Sequence, residues 1–297
     1  MSVQMAYLGI IAMWSTTPLA IKWSGEEVGF LFGISARMLI AALVCVAVFI
    51  LLRWPLPTDK RALHVYIAIG LPLYGAFLSV YWGAQYIPSG MISIIFGLTP
   101  IFTGLFAAFW LKENAFSISR ILGMLLGILG LGIIFQNSLS SGVGASFGVS
   151  MVVLAAIIHS FGTVWAKYVV SHLRPFTANT GGVCVAASLC VLTMLVSGEP
   201  IPDEIPVQAK YSILYLAIFG SILGAVMFFY ALRHVEATTM GMLTLITPVI
   251  AIFIGYWFNN EVIDVFTILG TISIMIGLLS YQWTGMRKRY IRARVNS

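Results

Sequence analysis

Apolar runs about as long as a bilayer is thick follow one another through the whole chain. They fall at Met5–Ile21, Phe30–Leu52, His64–Tyr86, Gly90–Leu111, Ile118–Phe135, Phe147–Val170, Phe176–Val196, Tyr211–Leu232, Thr238–Phe258 and Val262–Trp283. About 20 apolar residues wound as a helix cross the hydrocarbon layer. A barrel strand needs only about ten, alternating with polar residues, and the runs here are continuous. Of 297 residues, 60% are hydrophobic and 9% charged, more apolar surface than a water-soluble domain can hide. Disorder requires the opposite composition. The expectation is an all-α polytopic membrane protein with ten transmembrane helices. Ser24–Glu27, Pro55–Asp59, Asn137–Ser146 and Gly198–Pro206 are the longer turns between them.

The few charges test that count. With a cytoplasmic N-terminus and ten crossings, Arg53, Lys60, Arg61, Lys112, Arg120, Lys167, Arg174, Arg233, Arg287, Lys288, Arg289, Arg292 and Arg294 fall inside, and Lys22 and Lys210 outside. Positive residues retained on the cytoplasmic side set orientation, and a missed span would scramble the downstream loops. The net charge of +6 therefore reads as basic cytoplasmic loops rather than nucleic-acid binding. The basic tail after Trp283 equally suits lipid headgroups. Cys45, Cys184 and Cys190 lie within apolar runs without CxxC spacing, so neither a disulfide framework nor a zinc site is expected. No cofactor is expected. The first run lacks a basic leader, which argues against a cleaved signal peptide.

The halves repeat at an offset of about 148 residues. Leu98–Thr99–Pro100 matches Ile246–Thr247–Pro248, and Glu113 matches Glu261. After a one-residue gap, Ile121–Leu122–Gly123 matches Ile268–Leu269–Gly270, and Gly130 matches Gly277. Five spans per half is an odd number, so a direct repeat is inverted across the membrane. Inverted repeats of this kind bind solutes near the midplane between the halves. The organisation expected is two inverted five-helix repeats, 1–137 and 147–283, followed by a basic cytoplasmic tail, 284–297.

The stretch from Trp82 to Ile134, with Gly90–Met91–Ile92–Ser93, Thr99–Pro100, Glu113, Leu122–Gly123 and Gly130, resembles the EamA-type repeat of the drug/metabolite transporter superfamily. So does Tyr230 to Ser280. Trp14–Ser15 with Arg37 resembles the start of that repeat. The resemblance implies ten helices, both termini inside, a central cavity between the halves, and export of small metabolites such as amino acids or amines. It also implies an integral protein of the bacterial inner membrane. The second half departs from the pattern: Phe161–Gly162 replaces Trp14–Ser15, and no arginine repeats Arg37.

Several residues are candidates for the solute path. Pro100 and Pro248 each lack an N–H and free a carbonyl, on Phe96 and Thr244. In lipid such a carbonyl needs another partner or a water-lined cavity. Paired kinks for gating, with Thr99, Thr244 and Thr247 as hydrogen-bonding groups, are one reading; ordinary kinks with threonines bonded to their own helix are the other. Ser93 joins the substrate-binding candidates through the repeat motif. Tyr74 and Tyr81 are seven apart on one helix face and suit an aromatic wall or plain packing. Trp14, mid-span, needs a partner for its N–H. His159, with Thr163 one turn along, is ionisable and near the midplane, hence a candidate for proton coupling or a hydrogen-bonded core residue. Arg37 either pairs with a substrate carboxylate or snorkels toward Glu26 or Glu27. Gly123 and Gly127 form a small-residue packing face.

The function expected is a secondary active transporter working by alternating access, with a small-molecule substrate, membrane lipid and candidate proton coupling as partners, and no nucleic acid. The alternative is a passive facilitator or channel. No GxxxxGK[ST] loop is present, so ATP bound to this chain is not expected to drive transport, and an intramembrane enzyme is disfavoured because HExxH and paired intramembrane aspartates are absent.

Overall fold

The computed structural model describes residues 3–111, 118–140, 143–169, 173–234 and 243–295. Among them are α1 (Val3–Gly25), α2 (Phe30–Leu51), α3 (Lys60–Ala84), α4 (Ser89–Phe96), α5 (Thr99–Trp110), α6 (Ile118–Ser140), α7 (Val143–Val169), α8 (Pro175–Ser197) and α9 (Val207–Tyr215). A π-helical stretch, Leu216–Leu223, links α9 to α10 (Gly224–His234); α11 (Leu243–Asn259) and α12 (Val265–Val295) follow. Among the described residues, each apolar run read from the sequence falls mainly on helix. Among the described residues, seven helical segments are long and apolar enough to cross a membrane: Phe30–Leu51, Lys60–Ala84, Ser89–Trp110, Ile118–Asn137, Gly144–Val169, Pro175–Ser197 and Val207–Phe228. Ile246–Asn259 and Val265–Tyr281 are shorter apolar helices, and α1 is long but carries more hydroxyls and Lys22.

Local chemistry sets the ends. The Asp59 carboxylate accepts from the backbone N–H groups of Arg61 and Ala62, capping α3. Gly198 closes α8 with a left-handed φ of 68°, which costs glycine little. Pro175 opens α8, where its missing N–H would have no helical partner.

Glycines let backbones approach. A Cβ on Gly123 would stand 2.5 Å from the Gly277 carbonyl oxygen, and one on Gly277 would stand 2.7 Å from that of Gly123. Gly130 and Gly270 face each other in the same reciprocal way, at 2.6 and 2.8 Å. These contacts run α6 and α12 antiparallel, and the Ser273 hydroxyl donates to the Leu126 carbonyl between them at 2.9 Å. The same helix α6 turns Ile121, Leu122, Leu125, Ile128 and Leu129 outward. An apolar outer stripe of that size belongs against lipid.

In the rest of the bundle, α3 packs on α7 and α8, α2 on α8, and α4 and α5 on α7. Helix α1 packs on α9, α10 and α11, while α2 meets the π-helical stretch and α4 meets α11. The main buried cluster draws Ile34, Met38, Tyr81, Ile94, Ile95, Val152 and Leu216 from these helices. Polar residues enclosed by this packing form the candidate site.

Candidate functional site

Among the described residues Arg37 is the largest fully buried side chain, 1% exposed. Its Nε donates to the Ser221 hydroxyl at 3.1 Å, and its Nη1 lies 3.5 Å from the Tyr81 hydroxyl, a weak bond. The guanidinium carbon sits 4.3 Å from the Phe77 ring centre. Among the described residues it pairs with no carboxylate: the structure does not carry Arg37 outward to Glu26 or Glu27. The reason is the π-helical register of Leu216–Leu223, which presents Ser221 to α2. Ser221 in turn donates to the Leu216 carbonyl, five residues back, and its own carbonyl accepts from the Asn179 amide. Single-turn π bulges favour functional positions. The sequence carried no periodicity signal for this one.

His159 is exposed on α7. Thr163, one turn along, is exposed too, and its hydroxyl donates to the His159 carbonyl at 2.9 Å. The Phe96 ring faces the imidazole at 6.0 Å. Beside it, α4 ends at Phe96 and α5 begins at Thr99, so the run predicted as one span is two helices. The Thr99 hydroxyl donates to the Phe96 carbonyl at 2.7 Å, satisfying the group that Pro100 leaves free. Ser160 ties the break to α7, donating to the Thr99 carbonyl at 3.2 Å. If Trp14–Ser15 corresponds to Phe161–Gly162, then Ala12 and Thr16 of α1 correspond to His159 and Thr163. Thr16 donates to the Ala12 carbonyl at 2.9 Å, the same bond, and its hydroxyl meets the Tyr215 hydroxyl at 2.6 Å.

A third polar cluster closes one end of the bundle, where the α3–α4 and α11–α12 connections meet the end of α1. The Glu261 carboxylate accepts from the Ser89 N–H at 2.9 Å, the Ser89 hydroxyl at 3.0 Å, the Gly90 N–H at 3.3 Å and the Asn259 amide at 2.9 Å. The Lys22 ammonium stands 3.9 Å away and also donates to the Ile87 carbonyl. The Trp23 indole donates to Asn259 at 2.9 Å. Charge-assisted bonds of this kind are about twice as strong as neutral ones. Sequence reasoning read Glu261 only as the repeat partner of Glu113 and missed this role. Its repeat partner, Glu113, lies outside the described residues.

The remaining candidates scatter. Trp14 stacks on Phe228 with centroids 5.3 Å apart, a packing role. The Tyr74 hydroxyl pairs with Thr193 of α8 at 2.7 Å. Tyr81 is buried and accepts from Arg37 and Ser24, so the two tyrosines serve different partners rather than one wall. Ser93 is buried in α4, and Thr247 beside Pro248 in α11. The backbone of Thr244 is in α11; its side chain lies outside the described residues. Gly162 replaces the serine of the first half because a Cβ there would collide with Pro72 of α3.

Lipid-length apolar helices around a buried polar interior define an integral membrane protein. A family model described as the EamA-like transporter family matches residues 2–136 and again 146–281, and the chain belongs to that family. It is similar to the uncharacterized transporter YoaV of Bacillus subtilis (strain 168), 24% identical over 97% of this chain and 99% of that one. It is also similar to the uncharacterized inner membrane transporter YedA of Escherichia coli (strain K12), 24% identical over 87% and 83%. A third relative is a WAT1-related chloroplastic protein of Arabidopsis thaliana, 26% identical over 89% and 66%. A solved crystal structure of a protein shares the fold, with a TM-score of 0.68 and 18% identity over 96% of this chain and 98% of that one.

Proposed function

We propose that the chain is a secondary transporter that exports small metabolites, amino acids or amines among them, by alternating access to a hollow between two inverted five-helix repeats. The repeats are 1–137 and 147–283, with the tail 284–297 and both termini cytoplasmic in a bacterial inner membrane. The observation that carries the reading is the double match to the EamA-like transporter family, over residues 2–136 and 146–281, in a bundle whose Glu261 cluster ties the α3–α4 and α11–α12 connections together. The pairing of helices supports the repeat. Exchanging the halves turns α3–α7 into α10–α1, α5–α7 into α11–α1 and α3–α8 into the π-helical stretch on α2, and all of these pack. The same exchange turns Gly123–Gly277 into Gly270–Gly130, which also meet. Transport rather than catalysis fits relatives that are named transporters.

The test is counterflow in liposomes carrying the purified protein, with a panel of amino acids, amines and other small metabolites, with and without a pH gradient. Saturable counterflow of at least one solute is expected. No movement of any solute under either condition sinks the reading; movement that never saturates would make the protein a pore.

A further inference from the structure

Helix α2 ends on an unusual residue. The Arg53 N–H donates to the Ile50 carbonyl at 3.1 Å, and the Trp54 N–H donates to the Phe49 carbonyl at 3.0 Å. That pair of bonds requires a left-handed residue at the helix end, a place that glycine usually fills. Helix α8 ends on Gly198 with a φ of 68°; α2 ends on Arg53 with a φ of 52°. Non-glycine residues held in this region store strain, and they cluster at functional sites. The Arg53 side chain is exposed and has no hydrogen bond or ion pair among the described residues. With Val46, Phe49, Ile50, Trp54 and Leu56 it lines an open cleft of about 390 Å³, within the range of roughly 300–1,000 Å³ for small-molecule sites. Three rings fix the wall: Trp54 meets Phe49 edge-on at 6.0 Å, and Phe49 stacks on Phe176 of α8 at 5.6 Å. The rim is cationic. Arg174 stands two residues before Phe176, and Lys60 and Arg61 open α3. The nearby acid, Asp59, is occupied in capping α3.

We propose that this cleft is a binding site for one anionic phospholipid: Arg53 takes the phosphodiester, and the apolar wall takes the upper part of an acyl chain. A guanidinium fork meets two phosphate oxygens in parallel bonds. Tryptophan belongs at headgroup level, so Trp54 sets the depth at which the lipid is held. The adjoining Ile50, Leu51 and Leu52 are exposed and continue the apolar surface along α2. A free phosphate would leave the apolar wall without a partner, and a zwitterionic headgroup would bring its own cation to a cationic rim. The transport reading places this end in the cytoplasm, on the side of the leaflet rich in anionic lipid. The lipid site goes beyond that reading and is tested without it.

The experiment follows thermal unfolding of the purified full chain in a nonionic detergent, titrated with dioctanoyl phosphatidylglycerol or dioctanoyl phosphatidylcholine. Inorganic phosphate and glycerol 3-phosphate are the soluble controls. Ligands that bind the folded state raise the midpoint. Phosphatidylglycerol is expected to raise it saturably, with an apparent affinity about tenfold above that of phosphatidylcholine, and the soluble phosphates are expected to leave it unmoved. Glycine suits the left-handed backbone, so Arg53→Gly is expected to fold and to lose the preference between the lipids; Arg53→Lys should keep part of it. Val46→Phe keeps every charge and fills the cleft, and it is expected to weaken phosphatidylglycerol binding about tenfold as well; it decides the matter if Arg53→Gly does not fold. Arg292→Gln removes one charge from the basic tail and is expected to keep the preference. Equal effects of the two lipids, or none from either, overturn the proposal, as does wild-type binding in Arg53→Gly or Val46→Phe. An equal loss in Arg292→Gln makes the attraction diffuse and also overturns it. A full shift from a soluble phosphate gives the site to a free anion and does the same. Lipid preference lost in Arg53→Gly with counterflow intact leaves the transport reading standing, and lipid preference in a protein that moves no solute leaves the lipid site standing.

Discussion

In the first half of the chain the helix ahead of Pro100 stops at Phe96 and restarts at Thr99; in the second, α11 runs from Leu243 through Pro248 to Asn259 unbroken. Both carry the same Thr–Pro pair at the same place in the repeat. Pro100 sits in the first turn of α5, where a proline is tolerated, and the carbonyl it leaves free, on Phe96, takes the Thr99 hydroxyl. Pro248 lies inside a helix, where a proline costs about 3 kcal/mol. Two further differences act at the break. Gly97 occupies the repeat position of Leu245, and glycine weakens a helix interior. The Glu261 carboxylate also holds the start of α4 by three bonds from Ser89 and Gly90. The lesson is that a proline permits a hinge, while neighbours decide whether the backbone uses it.

The comparison can be broken most forcefully at Pro248. Pro248→Ala restores the bond to the Thr244 carbonyl and is expected to stabilise the protein by as much as about 3 kcal/mol while slowing counterflow; Pro100→Ala should leave the unfolding midpoint unchanged. Equal shifts from the two would mean that the break has no local meaning. Next is the closed end. Glu261→Gln retains one acceptor and removes the charge, so a loss of about 2 kcal/mol is expected. A cysteine placed at buried Met91 in a cysteine-free background should then react with a maleimide several times faster; an unchanged labelling rate removes Glu261 as the latch.

His159→Ala makes α7 resemble α1, where Ala12 holds the corresponding place. If His159 carries the proton, accumulation driven by a pH gradient should fall at least about tenfold, roughly 1.4 kcal/mol, with counterflow spared. Accumulation at the wild-type level removes the imidazole from coupling. The mildest change is Gly97→Leu, which copies the second-half sequence into the first. It is expected to add about 1 kcal/mol of helix preference and to leave the break in place, because Ser160 and Glu261 still hold its two sides. A continuous helix in a structure of that variant would return the decision to local sequence.

Much of the fold was legible because lipid demands length and apolarity, and both are printed in the chain. Where they are described, the runs fell mainly on helices, and of the glycines read as a packing face Gly123 met the backbone of Gly277 while Gly127 met the side chains of Leu98 and Ile101. The candidate site was legible in part. His159 with Thr163, and Pro100 with Thr99, do meet in the bundle through Phe96 and Ser160. Arg37 was visible as an anomaly, but its partner was misplaced: the acids near in sequence, Glu26 and Glu27, lost to a serine 184 residues away. Tyr81 went with Arg37 and not with Tyr74 for the same reason. Glu261 was undervalued because a loop acid shows no periodicity, and its partners lie 172 residues upstream.

The sequence by itself determined the solvent of this protein, where its apolar helices fall and the doubling of its halves, because each depends on hydropathy and spacing along the chain. Tertiary structure decided what the scarce polar groups do. In a medium without water, each buried donor or acceptor takes its partner from whichever helix brings one within about 3 Å. That choice, which gave Arg37 to Ser221 and Glu261 to Ser89, is made across the bundle and not along the chain.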